Sequence, residues 1–295
     1  IITLLAGVIG LMVGRRAESR MGEREGYVIV AMVWVVFSAF GLLPYYLSGQ
    51  VNSITDAWFE SMSGFTTTGA TIIPDLNVIT HGLLFWRSLT QWIGGMGIIV
   101  LSIAILPIFG LNGMQLYAAE VSGLTYEKVS PRIADTAKMM WSIYVLLTAS
   151  EVVALWLCGM DLFDAVCHSF STIATGGFST KNNSLEFYDS AAIHYTVTFF
   201  MFVSGINFVM LIYLLRGKAK NFLRDEEVRW YSAAVAVFAV ALTLGLYIAR
   251  PGWSAIEMER AFRDSLFTVI SSMTSTGYTI SDYMYWPVVA WVVIF

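Results

Sequence analysis

Three short clusters of threonine, serine and glycine could do chemistry through their backbone oxygens. They are Thr66-Thr-Thr-Gly-Ala-Thr71, Ala174-Thr-Gly-Gly-Phe-Ser-Thr180 and Thr274-Ser-Thr-Gly-Tyr-Thr279. Glycine has no Cβ and admits backbone shapes that other residues avoid. Peptide carbonyls freed in this way can replace the water shell of an alkali ion, and Thr and Ser add hydroxyl acceptors. No carboxylate lies in any cluster. The chemistry is therefore that of a large monovalent cation, because a dehydrated divalent ion calls for carboxylate ligands.

Other chemistries fare worse. Cys158 and Cys167 form no CxxC, and His81, His168 and His194 give no HExxH or paired-ligand spacing, so no transition-metal site is expected. No GxSG nucleophile motif occurs, and His168 and Ser169 are sequence neighbours on one expected helix, where they cannot face each other as base and nucleophile. The chain is read as a non-enzyme. It has no P-loop and no GxGxxG, so no organic cofactor is expected.

Each cluster needs something to hold it. Each follows an amphipathic stretch of about 12 residues, too short to cross a bilayer but able to dip in and return. These stretches begin at Asp56, Asp164 and Asp264. Around them lie long apolar runs: Tyr27–Leu47, Leu83–Phe109, Met139–Cys158, Ala191–Leu215, Trp230–Ala249 and one starting at Trp286. A bilayer interior requires internal hydrogen bonding, so these runs read as helices. The repeating unit is helix, re-entrant helix, Thr-Gly loop, helix, at a spacing of about 100 residues. Thr68-Gly69, Thr175-Gly176 and Thr276-Gly277 are read as equivalent points. On that reading Asp56 and Asp264 stand thirteen residues before their glycine and Asp164 only twelve, so the second repeat is one residue short.

Composition agrees with an all-α polytopic membrane protein. Of 295 residues, 57% are hydrophobic and only 13% charged, about half the charge of a soluble domain. The net charge of −4 and the lack of a basic stripe argue against nucleic-acid binding. Lys and Arg concentrate in segments 14–26, 110–138 and 216–229, which the positive-inside rule assigns to the cytoplasm. The chain is divided accordingly. Residues 1–26 are the end of an N-terminal membrane helix, its start absent, plus a loop. Residues 27–110 are the first pore unit, 111–138 a cytoplasmic loop, 139–216 the second unit, 217–229 a second loop, and 230–295 an incomplete third unit.

Several motifs carry a resemblance. Ser-Gly-Phe-Thr-Thr-Thr-Gly-Ala-Thr (63–71), Gln-Trp-Ile-Gly-Gly-Met-Gly-Ile-Ile-Val (91–100) and His-Ser-Phe-Ser-Thr-Ile-Ala-Thr-Gly-Gly-Phe-Ser (168–179) resemble the Trk/Ktr/HKT potassium transporter superfamily, with the bacterial Trk-type membrane subunit the nearest match. Segments 104–107, 113–117 and 131–138 add to it. The resemblance implies potassium uptake through four such units around one pore, each filter keeping a glycine. It implies filter strands at Thr67, Thr68, Gly69 and Ala70, at Ala174, Thr175, Gly176 and Gly177, and at Ser275, Thr276, Gly277 and Tyr278, with K⁺ as the bound ion. It also implies a homodimer in the bacterial inner membrane, gated by a cytoplasmic ring of nucleotide-binding regulatory subunits. A fourth unit and a gating loop would lie past Phe295, and this chain alone would not close a pore. The alternative within the superfamily is a K⁺/Na⁺ transporter with ion coupling.

Other residues read two ways. Glu151 lies mid-span, where a carboxylate costs about 2.5–3.5 kcal/mol on insertion scales; it is either a cation-path or proton-linked group, or one hydrogen-bonded to a neighbouring helix. Glu60 and His168 sit on re-entrant helices and either add charge to the pore or brace the filter from behind. Asn207 either lines the cavity below the filter or bonds between helices. Gly94, Gly95 and Gly97 permit either a hinge or close packing. Asp56, Asp164 and Asp264 read as caps or first-turn acids.

Overall fold

A computed structural model describes residues 2–15, 23–105, 133–249, 255–288 and 290–291. Segment 113–117, the first two residues of 131–138, half of 104–107 and much of the first two basic segments lie outside these residues. The described residues are helical and contain no strand.

The chain opens with α1 (Ile2–Gly14), which buries no residue. The first unit is α2 (Glu23–Gly41), the short α3 (Leu43–Leu47), the re-entrant α4 (Ile54–Phe65) and α5 (His81–Ile105). The second is α6 (Ile133–Leu157), re-entrant α7 (Leu162–Ile173), α8 (Ala191–Ser204) and α9 (Phe208–Leu215). After α10 (Ala219–Arg224), the third unit supplies α11 (Glu226–Ala249) and α12 (Ala255–Met273). Lys138–Leu157 of α6 and Glu226–Ile248 of α11 are long and apolar enough to cross a membrane. The charge-poor faces that a bilayer would cover are broad: Val145, Leu146, Val153 and Trp156 on α6 and Val237, Val240 and Leu244 on α11 are all exposed.

Two elements differ from the sequence expectation. Ala191–Leu215 reads as one span, but the helix breaks after Ser204 and turns by 103° into α9. Gly205 sits where a Cβ would lie 2.6 Å from the Tyr231 hydroxyl and 2.8 Å from Thr274 Cγ2. At the break Tyr231 Oη donates to the Phe202 carbonyl at 3.3 Å. Asn207 restarts the chain as the N-cap of α9, its Oδ1 accepting from Val209 N–H at 3.0 Å. The second difference is α12. It starts nine residues before Asp264, because Ala255-Ile-Glu-Met-Glu-Arg-Ala-Phe-Arg is itself helix-forming and Glu259 pairs with Arg263 one turn on, at 3.5 Å. Asp264 is thus mid-helix, whereas Asp56 and Asp164 do occupy first turns, behind the N-caps Ser53 and Asp161.

The units are knitted in series. Trp92 on α5 stacks on Phe170 of α7 and meets Trp141 and Tyr144 of α6. Its indole N–H donates to Thr148 at 3.0 Å, and Tyr144 Oη donates back to the Trp92 carbonyl at 2.9 Å. A second core, including Leu155, Met201, Phe267, Ile270 and Tyr278, joins the second unit to the third. These cores fix the three re-entrant helices relative to one another, and so the loops that follow them.

Candidate functional site: three loops in one array

Each re-entrant helix ends in the same backbone turn. Thr67, Thr175 and Ser275 take positive φ of 54°, 52° and 58°. Two residues later Gly69, Gly177 and Gly277 do the same, at 74°, 78° and 80°. A non-glycine residue at positive φ is uncommon and costs energy, so its recurrence at three matched points is informative. Shared hydrogen bonds hold the turn. Thr68, Gly176 and Thr276 donate their N–H to the carbonyls of Ser63, Ser171 and Ser271 at 2.9, 2.8 and 2.9 Å. Ser63 and Ser271 hydroxyls donate to the Ala70 and Tyr278 carbonyls at 2.6 and 2.8 Å.

This pattern corrects the register of the second loop. The partner of Gly69 and Gly277 is Gly177, not Gly176, whose φ is not in the left-handed region. All three aspartates then stand thirteen residues before their glycine, and no repeat is short. Ala174 corresponds to Thr66 and Thr274 and is the C-cap of α7. The second strand therefore runs Thr175, Gly176, Gly177, Phe178. With two adjacent glycines, the sequence alone cannot tell which adopts positive φ. The first and third strands keep the register read from the sequence.

The loops touch in chain order. A Cβ on Gly69 would overlap the Gly176 carbonyl oxygen, and one on Gly177 would overlap the Thr276 carbonyl oxygen. The same backbone position of each loop faces the same carbonyl of the next. No described atom lies within 4 Å of where a Cβ on Gly277 would be. The carbonyls of Thr67, Gly69, Thr175, Gly177, Ser275 and Gly277 accept no hydrogen bond from the described residues. Thr66 and Thr68 pair their hydroxyls at 2.8 Å, as do Thr274 and Thr276 at 2.7 Å, while Ala174 and Gly176 leave the second loop without this pair.

Behind the loops lies a polar brace. Gln91, fully buried on α5, donates from Nε2 to the Gly176 carbonyl at 2.7 Å and accepts from Phe178 N–H at 3.1 Å. Glu60 on α4 accepts from the Thr71 hydroxyl and from Ile72 N–H, at 2.9 and 3.2 Å. Arg87 on α5 donates from Nε to Glu60 at 2.7 Å and from Nη1 to the Ser179 carbonyl at 3.1 Å, and lies 4.1 Å from the centre of the Phe178 ring. Glu60 and Arg87 are 0% and 1% exposed, so one buried ion pair ties the first loop's exit to the second's. His168 holds the matching place on α7. Its Nδ1 donates to the Asp164 carbonyl at 2.7 Å, and Nε2 lies 3.0 Å from Ser179 Oγ.

The sequence reading of Glu60 and His168 as filter braces fits this geometry. Arg87 and Gln91 escaped it, although a lone arginine inside an apolar run is itself a signal that a buried acid waits nearby. Gly94 and Gly95 serve close packing: α5 runs unbroken past them, and a Cβ would overlap the Phe65 carbonyl oxygen or come within 2.8 Å of Ala174. Asn207 spends its Oδ1 on the helix cap, with Nδ2 3.5 Å from Glu227. Glu151 is fully buried on α6.

Comparison with known proteins now decides the family. The model of the cation transport protein family TrkH matches residues 2–295. The chain belongs to the TrkH family. It is 44% identical over 289 residues to the Trk system potassium uptake protein TrkH of Salmonella typhimurium, covering 97% of this chain and 59% of that protein. It is 45% identical over 276 residues to the namesake in Escherichia coli K12, covering 92% and 56%. The crystal structure of the potassium transporter TrkH from Vibrio parahaemolyticus superposes with a TM-score of 0.84 at 37% identity, covering 99% of this chain and 60% of that one. The chain thus spans a little under two thirds of each relative. The family model is that of a cation transport protein, and the described residues are helical, with two helices long and apolar enough to cross a membrane.

Proposed function

We propose that this chain carries three filter segments of a potassium uptake protein and that K⁺ crosses through the array they form. The carrying observation is the contact of Gly69 with the Gly176 carbonyl and of Gly177 with the Thr276 carbonyl, which sets three identical turns side by side. The ion would lose water to the free oxygens of Thr67, Gly69, Thr175, Gly177, Ser275 and Gly277. Thr68 and Thr276 add hydroxyls. Gly176, its carbonyl engaged by Gln91, serves architecture. A further unit, which the family resemblance implies, would seat against the open side of Gly277.

The relatives are named potassium uptake proteins of a Trk system, which supports K⁺ as the cargo. Gating by a cytoplasmic nucleotide-binding regulatory ring and assembly as a homodimer belong to the same reading. The alternative reading is a K⁺/Na⁺ transporter of the same superfamily with ion coupling. The test is ⁸⁶Rb⁺ uptake by the intact protein in proteoliposomes, with Na⁺ as competitor. Selective uptake abolished by Gly177→Ala supports the proposal; unchanged selectivity in that variant and in Gly69→Ala refutes it.

A further inference from the structure

The turn at Gly205 does more than end a span. It lays α9 against α6, and the two helices flank an open groove of about 220 Å³. Met139, Ile143 and Leu146 of α6 and Ile212 and Leu215 of α9 line it, with Arg216 at its mouth. Ser142 also lines it, but its hydroxyl donates to the Lys138 carbonyl of its own helix at 2.8 Å, so the wall offers an occupant apolar contact. Pockets that enclose a drug-sized molecule hold roughly 300–1,000 Å³. This one suits a stretch of hydrocarbon chain.

The mouth is cationic. Arg216 Nη2 lies 3.1 Å from a weak acceptor, Met139 Sδ. Lys138 stands one helical turn from Ser142, hence on the groove's side of α6. Lys218 follows Arg216 by two residues and is exposed. Of the acids that follow α9, Asp225 accepts from Val228 N–H at 3.0 Å, and Glu227 faces Asn207. This is also the face that the Lys/Arg distribution assigns to the cytoplasm.

An apolar groove with a guanidinium beside it matches one kind of molecule, with an apolar chain and a negative head. We propose that the α6–α9 groove binds an anionic phospholipid of the inner leaflet, one acyl chain along Ile143, Leu146 and Ile212 and the phosphate on Arg216, with Lys138 and Lys218 beside it. Basic pockets between membrane helices on the cytoplasmic side take such headgroups. The proposal does not depend on which ion the loops select.

The test is native mass spectrometry of the intact protein in neutral detergent, titrated with phosphatidylglycerol or phosphatidylcholine. Arg216→Gln should lower retention of phosphatidylglycerol about fivefold and leave phosphatidylcholine unchanged. Arg216→Lys should retain most of it. Leu146→Trp, at a position 54% exposed and so harmless to the core, should obstruct the groove and weaken both lipids. Phosphatidylglycerol retention unaffected by both Arg216→Gln and Leu146→Trp would overturn the proposal. So would a cross-link from Leu146 to a second copy or to another segment of the same protein, which would show the groove filled by polypeptide.

Discussion

The two glycines of the second loop separate what a residue does from where it sits. Gly177 takes φ of 78° and has the Thr276 carbonyl oxygen where a Cβ would stand; Gly176 lies outside the left-handed region and faces the Gln91 side chain. A methyl at Gly177 meets a strained φ and a backbone oxygen that cannot swing aside. A methyl at Gly176 keeps an ordinary φ and overlaps the Gln91 amide, whose displacement gives up its two hydrogen bonds but leaves the backbone turn in place. We expect Gly177→Ala to reduce the Rb⁺/Na⁺ flux ratio by about tenfold or more, because displaced carbonyls no longer present the field that distinguishes ions. Gly176→Ala should be milder. Equal effects would mean that the backbone turn does not set selectivity. Gln91 yields a second expectation. Gln91→Leu leaves the Gly176 carbonyl and the Phe178 N–H without their buried partner, at roughly 1–3 kcal/mol for each group. The thermal midpoint of the purified protein should fall, and selectivity should loosen with it; a variant as stable and selective as the parent would remove Gln91 from the brace.

At the scale of elements, α4 is held from behind by a side chain of the helix that follows it. The Glu60–Arg87 pair joins α4 to α5 and reaches the second loop through Ser179. Removing one partner strands a buried charge, which costs about 3–5 kcal/mol. Glu60→Gln and Arg87→Met should each lower folded yield and thermal stability sharply. The double variant should lose less than the sum, since it strands neither charge; strict additivity would show that the two groups do not act as a pair. The helical architecture and the three glycine turns were legible beforehand, because apolar runs and glycine spacing are local patterns. What stayed hidden depends on contacts far apart in sequence. The break at Gly205 lies inside an uninterrupted apolar run and is set by Tyr231 and Thr274, which no local signal reveals. The choice between Gly176 and Gly177 is likewise made by the neighbouring loop. The start of α12 was hidden differently, by reading Asp264 as a boundary when helix-forming residues precede it.

For the whole molecule, the central point is that units joined in series must keep their loops in register across boundaries no single helix spans. Between α5, α6 and α7 the aromatic cluster around Trp92 does this. At the rim beyond the loops the link is lighter and polar. Asp75 Oδ1 accepts from Asn182 Nδ2 at 2.8 Å, and Asn182 Oδ1 accepts from Leu76 N–H at 2.7 Å, a reciprocal tie between the segments that leave the first and second loops. The amide donors of Asn182 and Asn77 hold the Asp75 carboxyl below its ordinary value of 3.8. A carboxylate whose value is depressed on folding contributes its stabilisation above the unfolded value and loses it as pH falls through the folded one. The rim should therefore stay tied at neutral and mildly acid pH and loosen only below about 3.8, the ordinary value. Asn182→Ala removes both bonds at any pH. Hydrogen exchange at the Leu76 amide should rise in that variant at pH 7, with little change in the buried α7, and ion selectivity should survive because the inner braces remain. If the Leu76 amide exchanges no faster, the rim is held by backbone packing alone. If selectivity falls as well, the rim tie reaches the filter through Ser179, the residue that Arg87 and His168 share three positions before Asn182.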